Sequence, residues 1–301
     1  MATQQIAYPL AAPTLSGNVL TVDTALNQPT RITRRIMDLT LQRFIVDRIF
    51  STNAGAVTGG AVVYDQATTN ELYTDRDVER VGPGDEFPVV GSQRPVPKVA
   101  QVEKWGGKFF VTDEARDRND VAFFNNQTTQ LSNTIVKKVN TRAIETLEAA
   151  ITALGGAGTF VGHNWSTVVT GGSSQTNNSG WPAADFANAQ YLADTEELGV
   201  TYDLWIVNPK QRMDLAITYG SALNEVLDSL GIEVFASNRV ANGTAYAVAR
   251  GQVGELRVEQ GLGTETWREQ ATQRTWVQAS VRPVMYVTNP YSIKKVTGLN
   301  G

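Results

Sequence analysis

The longest helical pattern in the chain runs from Val121 to Leu154, VAFFNNQTTQLSNTIVKKVNTRAIETLEAAITAL. Its apolar residues Phe124, Leu131, Ile135, Val139, Ala143, Leu147, Ile151 and Leu154 recur at mostly four-residue steps, which keeps them on one drifting stripe of an α-helix. Asp120 is a start signal, Gly155-Gly156 a stop signal, and neither Gly nor Pro interrupts Leu131 to Leu154. At about 1.5 Å per residue the segment spans roughly 50 Å, longer than a small domain is wide, so it is expected to bridge parts of the molecule. The Asn/Gln/Thr-rich run Asn125 to Thr134 is a weak helix former, which predicts a later start or a bend there. The opposite face, with Lys137, Lys138, Arg142, Glu145 and Glu148, reads as solvated, with Arg142 and Glu145 spaced to pair.

Ahead of this helix, residues 1 to 30 show no periodicity and contain Pro9, Pro13 and Pro29, which predicts an extended arm held by something other than itself. Ile32 to Phe50 is amphipathic and helical in part, with Arg31, Arg34, Arg35, Arg43 and Arg48 set against Asp38 and Asp47. This most basic part of the chain reads as a structural arm that docks on neighbours, with an added role facing a polyanion as the alternative. From Val57 to Trp105 the pattern is a long β-like excursion: a strand at Ala61 to Tyr64, a charged tip TDRDVERVGPGDEF at Thr74 to Phe87, and a return strand at Val96 to Trp105. A two-stranded ribbon cannot bury its own faces. No segment of the chain is left over to cover it, which points to a neighbouring subunit.

Thr112 is placed to cap a short helix that opens with Asp113-Glu114, and the long helix comes next. The Gly/Ser/Asn-rich stretch from Gly155 to Gly180 reads as a boundary and an exposed, mobile loop. A second region of α/β character runs from about Trp181 to Leu262. Pro182 opens a helix, Tyr202 to Val207 is a buried strand, Asn208-Pro209 starts the next helix, and Ala222 to Leu230 is a third that stops at Gly231. Ile232 to Ala236 and Ala245 to Ala249 are expected to pair around the turn dipeptide Asn242-Gly243. Thr264 to Val296 alternates as strand, with breaks expected at Pro283 and Pro290, and returns the chain to the long helix.

Composition narrows the classes. The chain has 301 residues, 42% of them hydrophobic, enough for a real core in one large domain or two to three modest ones. Lys and Arg number 26 against 30 Asp and Glu, a net charge of -4, so no global basic field exists for sequence-specific DNA binding. Zero cysteines exclude disulfides, thiolate catalysis and Cys-ligated metals. The N-terminus lacks the basic and apolar regions of a signal peptide and no run approaches 18 apolar residues, so neither export nor a membrane span is expected.

Catalytic motifs fail one by one. His163 is the sole histidine, so a Ser-His-Asp triad would have to be built beside Ser166 without a nucleophile elbow. Gly156, Gly158 and Gly162 come after a helix instead of a strand, and Gly106-Gly107-Lys108 lacks the upstream glycine of a P-loop. Asp75, Asp77, Glu79 and Glu86 fall at calcium-loop positions, but Arg80 replaces the turn glycine and Arg76 separates the acids, which favours intersubunit or local salt bridges. Trp105, Trp205, Trp267 and Trp276 sit in strand patterns as core or interface anchors. No catalysis, cofactor or metal is expected.

Taken in order, these parts resemble the major capsid protein of tailed double-stranded DNA phages, an α+β chain of the Hong Kong 97-like fold. The resemblance is one of layout over nearly the whole chain, with KFFVTDEARDRN (Lys108 to Asn119) and VRPVMYVTNPYSIKKVTG (Val281 to Gly298) as its most telling local textures. It implies an N-terminal arm (1–50), an E-loop (51–106), a peripheral domain (107–158 and 263–301, with the spine helix at 121–154) and an axial domain (159–262). It further implies a self-assembling shell of hexamers and pentamers, located in the virion after assembly in the host cytoplasm. Assembly contacts are expected at the E-loop tip (Asp75, Arg76, Asp77, Glu79, Arg80, Asp85, Glu86) and at Arg31, Arg34 and Arg35 of the arm. Leu131, Ile135, Val139, Leu147 and Ile151 are expected as spine core.

The partners implied are the chain itself, a separate scaffolding protein, a portal, a decoration protein, and packaged double-stranded DNA held without sequence specificity. Some relatives cross-link E-loop lysines to peripheral asparagines; Lys98 or Lys104 with Asn289 would be the positions. Two alternatives stand: an encapsulin-like bacterial compartment shell of the same fold, and a carbohydrate-binding or hydrolytic protein using exposed aromatics and acid pairs.

Overall fold

The computed structural model of the chain describes residues 22–41, 45–52, 55–68, 74–91 and 95–300. The first 21 residues of the expected arm, and Arg43, lie outside them. The spine helix, α5, spans Val121–Leu154 without interruption. Asp120 fixes its start by accepting a hydrogen bond from the Phe123 amide at 3.0 Å. Gly155, at φ +63°, stops it in the left-handed conformation that glycine tolerates. The start is not delayed through the Asn/Gln/Thr run. Thr128, Thr129 and Thr134 turn their hydroxyls back onto the carbonyls of Phe124, Asn125 and Gln130, so these polar side chains are satisfied inside the helix.

By internal contacts the chain divides into two units. The first comprises Met1–Phe44, Glu103–Lys138 and Gln260–Arg282; the second comprises Ile45–Val102, Val139–Glu259 and Pro283–Gly301. α5 supplies buried side chains to both: Phe124 and Ile135 to the first, Val139, Ala143, Leu147 and Ile151 to the second, while Leu131 and Leu154 are half-buried. The Arg142–Glu145 pair forms at 3.3 Å on its solvated face.

In the first unit, α1 (Val22–Asn27) and the start of α2 (Pro29–Leu41) are helical where an extended arm is expected, and α2 continues into the part of Ile32 to Phe50 that is expected to be helical. Their own chain holds them. Val22, Ala25, Leu26, Ile32 and Ile36 are buried, the Val22 amide donates to Asn119 at 3.0 Å, and Thr266 donates to the Leu26 carbonyl at 3.2 Å. Pro29 misleads a reading from sequence because it occupies a first-turn position, where a missing N–H costs nothing.

Of the remaining elements, α3 is Val46–Ile49, α4 is Asp113–Asp117, β1 and β2 are Ala61–Tyr64 and Lys98–Gln101, and β3 is Trp105–Thr112. β4 is Thr159–Val161, β5 Leu204–Val207, β6 Glu233–Ala236, β7 Ala245–Val248, β8 Gly254–Glu269, β9 Arg274–Val287 and β10 Ile293–Thr297. β3 pairs antiparallel with β9, and β8 lies on the far side of β9. Phe109, Val111, Val277 and Ala279 make the buried face, with Phe109 edge-on to Phe124 at 6.1 Å. Gly107 is part of this packing: a Cβ there would come within 2.7 Å of Leu131. Thr112 caps α4 by accepting from the Ala115 amide at 3.3 Å.

The second unit contains a five-stranded mixed sheet in the order β4-β10-β7-β5-β6. Helices α6 (Pro182–Thr195), α7 (Pro209–Tyr219) and α8 (Leu223–Leu230) accompany it. β5 is buried at all four residues and lies between β6, parallel to it, and β7, antiparallel to it. The expected β6–β7 hairpin therefore does not exist. The Asn242-Gly243 turn is instead closed locally, by the Thr244 amide on the Ala241 carbonyl, and receives the Leu299 amide on Gly243.

Four further expectations are corrected. β10 does not return to the sheet beside the spine helix but pairs with β7 and β4. β8 begins ten residues before Thr264, at Gly254, and β9 runs unbroken through Pro283, whose missing N–H falls past the last residue paired with β3. The stretch read as an exposed loop contains β4 and a buried Trp165, which meets Phe186 at 5.6 Å; Phe186 in turn meets Trp205 at 4.6 Å.

Lys294 on β10 is only 2% exposed and donates to the Ala157 carbonyl at 2.6 Å and to Glu196. Beside it, Lys295 pairs with Glu148 of α5 at 2.7 Å, and Tyr246 donates to the same carboxylate. β10 is thus tied to two helices by charge as well as to two strands by backbone.

Leu147, with no exposed surface, is the most direct test of the α5 stripe. Leu147→Ala is expected to cost about 2–5 kcal/mol, and Leu147→Asp more because it buries an unpaired carboxylate. Glu145→Ala on the solvated face should cost less than about 0.5 kcal/mol. Urea denaturation monitored by circular dichroism reads all three; a wild-type midpoint for Leu147→Asp would mean that the stripe is not core.

Candidate assembly surfaces

The ribbon is short. β1 and β2 pair antiparallel over four residues each, and the described residues between them form no strand. Its base is also not without a partner. Val57 and Val62 cluster with Val284 and Tyr286 of β9, with Tyr64 and Ala100 packed against them. Tyr64 stacks on Tyr286 at 4.8 Å, and the Val57 and Ala67 amides donate to the Val258 and Thr288 carbonyls. This support is invisible to a reading from sequence because partners such as Tyr64 and Tyr286 lie far apart along the chain.

A charged clamp completes the base. Tyr286 donates to Glu255, which Arg257 grips with two nitrogens at 2.8 and 2.9 Å. The Tyr286 hydrogen bond and Arg257 hold the Glu255 carboxyl below the usual glutamate range, while burial and the Glu255 charge push the Tyr286 phenol up to about 12. Lys98 donates to Gln66, and Asn289 caps the turn at Pro290 by accepting from the Tyr291 amide at 3.1 Å. Each side chain proposed for cross-linking thus has a local partner, apart from Lys104.

The opposite face of the ribbon has no such cover. Val63 and Val99 stand directly across from each other and are 69% and 62% exposed. Beyond them, the tip is closed at its neck: the Asp75 amide donates to the Gly91 carbonyl at 3.0 Å, and the Gly91 amide donates back to the Asp75 carboxylate at 2.6 Å. Between these residues Asp75, Arg76, Asp77, Glu79, Arg80, Asp85 and Glu86 are all exposed. Among the described residues none of the seven forms an ion pair, so the local salt bridges expected for them are not made. Val78, Phe87 and Val89 are more than three-quarters exposed. A closed loop that presents alternating charge and bare apolar side chains fits a protein surface better than water.

On the arm, Arg31, Arg34 and Arg35 line the exposed side of α2, opposite the buried Ile32 and Ile36.

The hydrolytic alternative has two places to stand. His163 Nδ1 lies 2.7 Å from Asp185, a buried residue of the first turn of α6 that also accepts from the His163 amide at 3.0 Å and from Trp165 Nε1 at 2.7 Å. Sequence reasoning passed over Asp185, whose signal was its place in the first turn after Pro182. Ser166 donates to Asn164 at 2.6 Å, so it is not relayed to the histidine, and the cluster acts as a clip for the loop. A cavity of about 590 Å³ is lined by Asp47, Arg48, Phe50, Glu233 and Arg250. Both of its arginines converge on Glu233, Arg250 at 2.6 Å, which neutralises the site from within. Among the described residues no group of three or more His, Cys, Asp or Glu side chains is arranged to hold a metal ion.

Known proteins share this architecture. A family model described as phage capsid protein matches residues 95–296. No curated protein matches the chain. Among solved structures, a virus-like particle from Pyrococcus furiosus is similar at 15% identity and a TM-score of 0.59, covering 88% of this chain and 98% of that one. A structure from Microbacterium phage Oxtober96 is similar at 11% identity and a TM-score of 0.59, covering 99% and 96%. The capsid of cyanophage P-SCSP1u is similar at 15% identity and a TM-score of 0.56, covering 97% and 94%. At these identities the likeness is one of fold.

The clamp under the ribbon carries a pH dependence. Because the Glu255 pKa is lowered in the folded chain, its contribution is fully present above the ordinary glutamate range and is lost as pH falls through the folded value. Unfolding midpoints measured from pH 6 down to pH 3 should therefore fall less steeply in Glu255→Gln than in the parent chain. Identical slopes would remove Glu255 from the account.

Proposed function

The chain belongs to the phage capsid protein family, with the α+β Hong Kong 97-like fold, and its function is that of a major capsid protein; we propose that it builds the head of a tailed double-stranded DNA bacteriophage. In this reading copies of the chain close into hexamers and pentamers on an icosahedral lattice through head-to-tail contacts. Residues 51–106 act as the E-loop, 1–50 as the arm, and 159–262 as the axial domain that meets its neighbours at the ring centres. A separate scaffolding protein, a portal and a decoration protein are its expected partners, together with packaged DNA. The site of action is the virion, after assembly in the host cytoplasm. Among the described residues no helix is long and apolar enough to cross a membrane.

The single observation that supports the assembly reading is the tip, where seven charged side chains that form no ion pair among the described residues stand beside Val78, Phe87 and Val89, all strongly exposed. A neighbouring copy offers such a loop both ionic partners and apolar cover. A second reading, an encapsulin-like compartment shell, draws on the likeness to the virus-like particle from Pyrococcus furiosus and differs in what the shell encloses.

Negative-stain microscopy with light scattering on the full chain tests the proposal. Closed shells, or rings of five and six, are expected, with nucleic acid inside for a virus and protein inside for a compartment. Deleting Asp75 to Glu86 is expected to leave a soluble subunit that forms no closed shell. Normal shells from the deletion would remove the tip from the assembly account, and a monomer under every condition would overturn the shell itself.

A further inference from the structure

α2 is built against its own electrostatics. Its first turns carry Arg31, Arg34 and Arg35 and no acidic residue, although cations near a helix N-terminus oppose the macrodipole. The three residues fall at i, i+3 and i+4, so they share one face, where like charges repel. Ile32 and Ile36, 2% and 0% exposed, anchor the other side of the helix and turn the arginines to the outside. Among the described residues none of the three side chains makes an ion pair or hydrogen bond, whereas Arg116 in the same unit reaches Asp113 and Asp117 and Arg268 pairs with Asp113. No other described helix carries three unpaired arginines on one face.

We propose that this face binds the phosphate backbone of nucleic acid without sequence preference. The inference rests on the shell reading for its source, the polymer that the shell encloses. A guanidinium is planar, permanently charged and able to meet two phosphate oxygens at once, so three on one face match a run of phosphates. An acidic protein fits less well. Apart from Met37, the described outward side chains of α2 are polar, and a protein-docking face needs apolar or aromatic anchors at its centre. A polyanion needs none, because its binding is driven by release of condensed counterions. The net charge of -4 keeps the attraction confined to this patch, which lets a shell touch its contents without gripping them.

The test compares the full wild-type chain with the triple variant Arg31→Gln, Arg34→Gln, Arg35→Gln. Fluorescence anisotropy with a short duplex of arbitrary sequence, repeated at several salt concentrations, should give a log–log salt slope steeper by about 2.7 in the wild type, from about 0.9 per phosphate contact. The corresponding triple Arg→Lys variant should keep most of that slope, which separates charge from folding, and micrographs of the Gln variant should show wild-type particles. Equal slopes for wild type and Gln variant overturn the proposal. So does tighter binding of polyglutamate than of duplex, which would make the partner an acidic protein, and so does loss of particles in the Gln variant, which would make the face a contact between copies. A slope difference from a wild type that forms no particles would instead sustain the phosphate site and sink the shell reading.

Discussion

The structure depends on one uninterrupted helix of 34 residues whose apolar stripe serves two separate packing problems. Phe124 and Ile135 are buried in one unit, and Val139, Ala143, Leu147 and Ile151 in the other. A helix that must satisfy both cannot shift its register for either, because every step along it changes which side chains point inward. Two buried polar members of the helix fit that arrangement by pairing. Thr128 returns its hydroxyl to the Phe124 carbonyl and Asn140 accepts the Ile45 amide at 3.0 Å, whereas the buried Ser132 hydroxyl has no partner among the described residues.

Around that helix the chain divides its surface into parts that are satisfied internally and parts that are not. The ribbon base is satisfied, through the Tyr64–Tyr286 stack and the Glu255–Arg257 clamp. So is β10, through Lys294, Lys295 and two flanking strands. The tip, the Val63–Val99 pair and the arginine face of α2 are not. A protein meant to remain alone rarely leaves charge and apolar surface exposed together on a closed loop; a member of a shell does so because its neighbours complete it. The same contrast bears on the hydrolytic reading, since the Asp185 carboxylate is occupied by His163 and Trp165 and the charges in the Glu233 cavity pair with each other.

How much of this could be read in the sequence depended on how local the cause was. The bounds of α5, the Thr112 and Asn208 caps and the Gly231 stop were legible because capping and chirality act within a few residues. The sheet order was not. Asn242-Gly243 is a sound hairpin signal, but nothing local shows that β5 lies between β6 and β7. β10 was misplaced for the same reason, and Trp165 and Asp185 escaped notice because each depends on a partner about twenty residues away. At the tip the residues were identifiable as a charged surface from sequence, whereas the absence of salt bridges among the described residues there needed coordinates.

Hydrogen–deuterium exchange of the tip amides, compared between assembled particles and the unassembled chain, bears most directly on the claim that neighbouring copies complete this subunit. Marked protection of 75–91 is expected on assembly, with little change in β5, which is already buried in the single chain. Equal exchange of the tip in both states would contradict that claim.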